Sequence, residues 1–398
     1  MEALSFNTIE IIILGATGLF LLIQLFYYFG IYRRIFAHNK SVNKGDINFS
    51  EEFPPVSIII RSCNESVNLR NNLESVLQQD YPQFEVIVIN DGSTDESEEF
   101  LVQLEQKYTN LYHSFTPDLI RNISNKKLAL TLGIKASKYN WLVFTEANCR
   151  PSSNQWLKMM ARNFTQTTDV VLGFSTYTYR KGWSNKLECF DALFSAMRFL
   201  GMALNSNPYM GIGRNMAYRK HLFFDNKGYS HFLELLRGED DLFINEVAND
   251  TNTRVETSPE SVVRLFVPDY PHSEWKRSKI SYCVTSRFYK GGQRAAFGFE
   301  TMSMFLLYGC AAASIAMGVI DMHWLAAGIA LLLWIIRYIF QAVIVNKTSK
   351  SLGEKRRYYF TLPLFDFLLP LKSMSFKSSK LARKENYSVH SSYFTRNA

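Results

Sequence analysis

An α/β domain with a mostly parallel sheet, flanked by helices able to cross a membrane, is the fold class this sequence predicts, and three observations predict it. Residues 55–61 (PVSIIIR) and 84–89 (FEVIVI) are almost unbroken apolar runs, the pattern of strands covered on both faces. Between them, residues 68–79 have a helical pattern, which supplies the crossover that parallel strands require. Residues 11–32 hold no charge over 22 positions, and residues 301–320 and 324–345 are two further apolar stretches. Each is long enough to cross a hydrocarbon core of roughly 30 Å.

The elements follow in order. Strand 84–89 stops at Asn90-Asp91-Gly92-Ser93, and Ser93 with Glu96 offers a capping box for a helix over residues 95–107. Ligands of open α/β sheets sit beyond the carboxyl ends of the strands, where Asp91 stands; by itself Asp91 could equally be a turn former. Strands are predicted at residues 111–115, 141–145 and 169–174, with a helix opening at Asn125 and another over residues 185–204. Two acidic stretches end such elements: Glu146-Ala147-Asn148 after the strand at 141–145, and Glu239-Asp240-Asp241 before an apolar helix. The GxG in GIGRNM lacks a third glycine and opens no helix after a strand, so a dinucleotide-binding reading fails.

Residues 56–97, VSIIIRSCNESVNLRNNLESVLQQDYPQFEVIVINDGSTDES, closely resemble the nucleotide-binding start of family 2 glycosyltransferases. The resemblance runs on to about residue 295 and implies a GT-A fold and an inverting transfer from a nucleotide-sugar donor, UDP- or GDP-linked. It gives Glu65, Asp91 and Ser93 to the donor's nucleotide side and Lys126 to the pyrophosphate. Arg214, in a GxGRNxAY-like segment, would meet a phosphate or fix its loop. The family's usual Asp-x-Asp holds Mg²⁺ or Mn²⁺ against the diphosphate. Here Glu146 and Asn148 replace it, keeping oxygen ligands but losing one charge. Glu239 and Asp240 match the family's catalytic acidic pair, with Asp240 as the base that takes the acceptor's proton and Asp241 capping the helix or orienting the site. Processive synthases carry QxxRW before the membrane; this chain has Ser278, Ser281 and Tyr282 there. The resemblance therefore implies single transfer to a glycan or lipid-linked acceptor. A non-catalytic nucleotide-sugar-binding protein is the alternative, and a processive polysaccharide synthase a third.

The expected layout is an anchor (1–33), a linker (34–53), the GT-A domain (54–298), C-terminal membrane segments (299–373) and a basic tail (374–398). Arg33-Arg34 follow the first span, and the loop 321–323 lacks Lys and Arg while residues 346–357 are rich in them. The positive-inside rule then places residues 33–300 in the cytosol, at a cell (inner) membrane. Residues 358–371, broken by Pro363, Asp366 and Pro370, read as interfacial or re-entrant. The net charge of +8 gathers beside the spans, with no basic stripe on the soluble domain, which argues against nucleic acid. Five cysteines without CxxC spacing and seven scattered histidines give no zinc pattern. Trp275 and nearby lysines are candidates for seating the domain on the bilayer. Arg337, inside the last span, is costly there and must snorkel, pair, or meet a lipid-linked acceptor's phosphate.

Overall fold

Helix α1 (Thr8–Tyr27) passes through a π turn, Tyr28–Tyr32, into α2 (Arg34–Lys44), so one rod leads from the apolar N-terminal segment to the α/β domain. The computed structural model describes residues 6–116, 124–266 and 271–378; the tail beyond 378 and the segment just before Ser124 lie outside them. The domain then runs β1 (Val56–Ser62), α3 (Ser66–Leu77), β2 (Phe84–Asn90), α4 (Ser97–Lys107), β3 (Leu111–Phe115), α5 (Asn125–Ala136) and β4 (Trp141–Glu146). Next come β5 (Cys149–Pro151), α6 (Trp156–Ala161), β6 (Val170–Leu172), β7 (Ser175–Tyr177), α7 (Trp183–Ala203) and β8 (Met216–Arg219). It closes with α8 (Lys220–Asp225), α9 (Asp241–Val247), β9 (Thr253–Val255) and β10 (Val263–Leu265).

Seven strands form one sheet in the order β3-β2-β1-β4-β8-β6-β9, and β5, β10 and β7 form a second. β1 lies parallel to β2 and β4, and β8 is antiparallel to β4 and β6. Val56, Ile58, Ile59, Ile60, Val86, Ile87 and Val88 are all buried, as strands with helices on both faces demand. The register sets Ser62 beside Asn90 and Arg61 beside Glu146. Three strand ends therefore open at one level, and the residues after them share one crevice.

Helix α4 begins at Ser97, two residues later than the sequence suggests, and the Ser93–Glu96 capping box does not form. The Ser93 hydroxyl instead accepts the Asn64 N–H at 2.9 Å, tying the loop after β2 to the loop after β1. Asp95 takes the Ser97 N–H at 3.1 Å and the Ser66 N–H at 2.9 Å, so one carboxylate serves the starts of both helices.

Helices α10 (Pro271–Thr285), α11 (Gln293–Ile320), α12 (Trp324–Ser351) and α13 (Leu362–Lys377) complete the chain. The N-terminal rod, α11 and α12 are long and apolar enough to cross a membrane, and α1 packs along both of the others. Arg337 on α12 is 1% exposed and spends all five of its N–H donors inside the protein. Two go to Gln24 Oε1 (3.0 and 3.2 Å), one each to Tyr308 (2.9 Å), Gln341 (3.1 Å) and Asp366 of α13 (2.8 Å). That overturns the expectation that Arg337 meets a lipid phosphate: no donor remains to receive one. Trp275 is corrected likewise. It is buried, donates to Asp191 at 2.8 Å, and seats α10 on α7 rather than the domain on a bilayer.

Candidate active site

The level strand ends gather the predicted residues into a crevice with a donor side and an acidic side. On the donor side, Asp91 continues from β2 and is held by Arg61, whose Nε donates at 2.8 Å, and by the Thr116 hydroxyl at 3.1 Å. Glu65 precedes α3 and accepts from Asn68. Burial pushes its carboxyl above the usual range, with Glu146 adding to the rise.

The acidic side is organised by Lys126. Its ammonium lies 3.0 Å from Glu146 Oε1 at the end of β4 and 2.7 Å from Glu239 Oε1 before α9. Burial works against this cation, yet Glu239 and Glu146 outweigh it and hold Lys126 above the ordinary lysine range. The same pairing works in reverse on the acids. Burial pushes Glu239 up, but Lys126 and Arg237 prevail and hold it well below the carboxylate range. Glu146 is likewise lowered, against burial, by Lys126 and Arg214. Lys127 serves differently: fully buried, it donates to the carbonyls of Phe232 and Leu235 and so pins the loop that delivers Gly238 and Glu239. Glu239 Oε2 is buried with no hydrogen-bond partner among the described residues.

Asp240 sits against the GIGRN loop. Gly213 N–H and the Tyr282 hydroxyl donate to its Oδ2 at 2.9 and 2.8 Å. A Cβ on residue 213 would lie 3.3 Å from the Asp240 Cβ, so glycine permits this approach. Burial first and the neighbouring Glu239 second raise the Asp240 carboxyl above the ordinary aspartate value. Asp241 accepts Tyr289 at 2.6 Å and Thr285, both from the α10 end, and so orients that helix against the site. Asn215 fixes the loop: its amide donates to Phe174 O at 2.7 Å and Ser261 O at 2.9 Å and its oxygen accepts Trp156 at 2.9 Å. Arg214 beside it is thereby aimed towards Tyr177, Tyr282 and Glu146.

Residues 57–224 match the family model described as Glycosyl transferase family 2. Over that segment the chain is similar to glycosyltransferase family 2. The chain is 32% identical over 132 residues to Glycosyltransferase AglE of Haloferax volcanii, a match over 32% of this chain and 42% of that one. It is 30% identical over 124 residues to a poly-beta-1,6-N-acetyl-D-glucosamine synthase of Staphylococcus epidermidis, over 31% of this chain and 27% of that one. The matched segments thus span less than half the length of these relatives. Among solved structures, a mannosyltransferase from Pyrobaculum calidifontis in complex with GDP-Man and Mn²⁺ is similar in fold, with a TM-score of 0.53 and 16% identity. That likeness covers 86% of this chain and 98% of the other.

The residues at the expected metal position do not fit a resident hard dication. Glu146 is already claimed by an ammonium, Asn148 is a neutral amide, and no three His, Cys, Asp or Glu side chains cluster for a metal among the described residues. Sequence reasoning did not foresee the Tyr282–Asp240 bond. Its signal lay in the aromatic at a position where the family's processive members carry QxxRW. Arg61 and Thr116 were also missed, because only the folded sheet brings them to Asp91.

Proposed function

We propose that this family 2 enzyme transfers a sugar, with inversion, from a nucleotide-sugar donor to a glycan or lipid-linked acceptor at the cytosolic face of the membrane. The observation that carries the reading is the convergence of Lys126, Glu146, Glu239 and Asp240 beyond the carboxyl ends of a parallel sheet. The Asp91 and Glu65 side takes the nucleotide, with Ser93 on the loop between them. Lys126 and Arg214 face the diphosphate and offset the charge that develops as it leaves.

Asp240 acts as general base. Both of its hydrogen bonds fall on Oδ2, which leaves Oδ1 to take the acceptor's proton. The acceptor oxygen then bonds to the anomeric carbon, and the pair from the broken C–O bond leaves with the nucleoside diphosphate. The raised carboxyl of Asp240 makes it a better base than an ordinary aspartate. Glu239, held ionised by Lys126, keeps that lysine charged and in place. The orientation follows from Arg33-Arg34 and the basic residues after α12.

The test is release of nucleoside diphosphate from a panel of UDP- and GDP-sugars by detergent-purified protein, with and without Mn²⁺, beside Asp240→Asn. Donor-specific release that the variant lacks supports the reading. Donor binding without release, with membrane lipid present, replaces it by the non-catalytic alternative, and long products would indicate a processive synthase.

A further inference from the structure

A cavity of about 480 Å³, with Tyr282 in its wall, is lined by α7, α10, α11 and α13 together with β7 and the loop before β8. Its two ends differ in chemistry. The end at the active site is walled by Tyr177, Arg214 and Tyr282, and Tyr282 is the residue that donates to Asp240. The far end is made by Phe297, Gly298 and Met304 of α11 and Leu369, Pro370 and Met374 of α13, so it lies where the domain meets an apolar helix long enough to cross a membrane.

Helix α13 adds an independent sign of lipid. Leu364, Phe367, Leu371 and Met374 recur at helical spacing and are all exposed, and Phe360 just before the helix is 97% exposed. The opposite face, with Leu362, Phe365 and Leu369, is buried. A helix with one apolar face inside the protein and another outside is suited to lie in the membrane interface. Met374 belongs both to the outer stripe and to the cavity lining, so the cavity reaches the lipid-facing edge.

The charges of the lining do not balance. Asp191 is paired with Lys279, Glu300 with Arg198, and Asp366 with Arg337. Arg294 and Lys377 also line the cavity, and neither has an acidic partner at ion-pair distance among the described residues, while Arg214 at the active-site end faces Glu146. An apolar chamber that opens at a lipid-facing edge and carries two uncompensated cations fits a long-chain molecule with a negative charge near its head.

We propose that this cavity is the acceptor site and that the acceptor is a lipid whose phosphate joins the apolar chain to a hydroxyl-bearing head. The inference rests on the transferase reading and narrows it from glycan or lipid to an anionic lipid. The chain enters between α11 and α13, the phosphate rests between Arg294 and Lys377, and the head reaches past Tyr282 to Asp240. The head's O–H gives its proton to Asp240 as its oxygen bonds to the anomeric carbon and the diphosphate departs with the C–O pair.

The test uses the full chain in detergent, native mass spectrometry, and three probes: phosphatidylglycerol, phosphatidylcholine and diacylglycerol. Phosphatidylglycerol should be retained over the zwitterionic and neutral lipids. An Arg294→Ala/Lys377→Ala variant should lose about tenfold in affinity for it, since each cation near lipid phosphate contributes to binding. Gly298→Trp should block all three lipids; a Cβ there meets no atom within 4 Å, so the backbone accepts the change. Equal retention of the three lipids, or no effect of either variant, would overturn the proposal. Nucleoside diphosphate release is followed in parallel. Release with transfer to a soluble oligosaccharide that Gly298→Trp leaves intact overturns the lipid site and keeps the transferase, whereas absence of release from every donor with lipid bound overturns the transferase reading alone.

Discussion

Two buried ionic clusters invite comparison. Around Arg337, every donor of the guanidinium is spent, on Gln24, Tyr308, Gln341 and Asp366, and Tyr308 donates to the same Asp366 oxygen at 2.9 Å. Around Lys126, three carboxylates crowd together, Glu239 keeps an orphan oxygen, and the Asp240 carboxyl is forced upward by burial and by Glu239. In the first cluster the guanidinium is saturated, although the Gln341 amide nitrogen stays without a partner among the described residues, and four helices are joined. The second is left incomplete by the protein, the state expected of the donor site proposed above. Burial and charge alone do not separate the two; the number of the central cation's donors already spent does.

Five experiments sharpen or break that contrast. The largest effect is expected from Asp240→Asn, which should lower transfer by about 10²- to 10⁴-fold with the fold unchanged by circular dichroism. Activity near wild type would remove the base from the mechanism. Next, Arg337→Leu strands Asp366 and should cost about 3–5 kcal/mol of stability in denaturant melts, with much of it restored by Arg337→Leu/Asp366→Leu. A variant as stable as wild type would show that the saturated cluster is not what joins α12 to α13.

Lys126→Met should weaken the donor's apparent affinity by about 10- to 100-fold, the worth of one charge-assisted hydrogen bond, as read from KM against kcat. Tyr282→Phe is smaller and tests the sign of a titration. Activity requires ionised Asp240 and falls as pH drops through its raised pKa; the Tyr282 hydroxyl favours the ionised form. Its loss should move the acid limb of the pH–rate profile upward by about half to one unit. A limb that stays put or moves down would detach Tyr282 from the base. Smallest is chelation: with Lys126 and Arg214 already facing Glu146, EDTA should weaken donor binding less than Lys126→Met does. The reverse order would restore a dication to the Glu146–Asn148 position.

The two regions were also unequally legible. The apolar runs of β1, β2 and β4 and the turn at Asp91 are local signals, and the strands lie where the pattern put them. The small sheet of β5, β10 and β7 has strands of three residues, too short for a periodicity to register. The Ser93–Glu96 motif misled because a capping box reads only its own four residues, while Asn64 competed for Ser93 from across the crevice. Of the adjacent lysines, the sequence favoured Lys126 for the donor, and the fold turns it towards Glu146 and Glu239 while Lys127 is consumed by two carbonyls.

Sequence alone determined the order of strands and helices, the length of the apolar spans and the chemical types present at the strand ends, because each depends on residues close together in the chain. Tertiary structure decided which charges meet. Lys126 and Glu239 are over a hundred positions apart, as are Gln24 and Arg337, and no periodicity encodes such a pairing. It arises when a level parallel sheet and packed helices exclude water, so that each buried charge must find whatever partner the fold brings within reach.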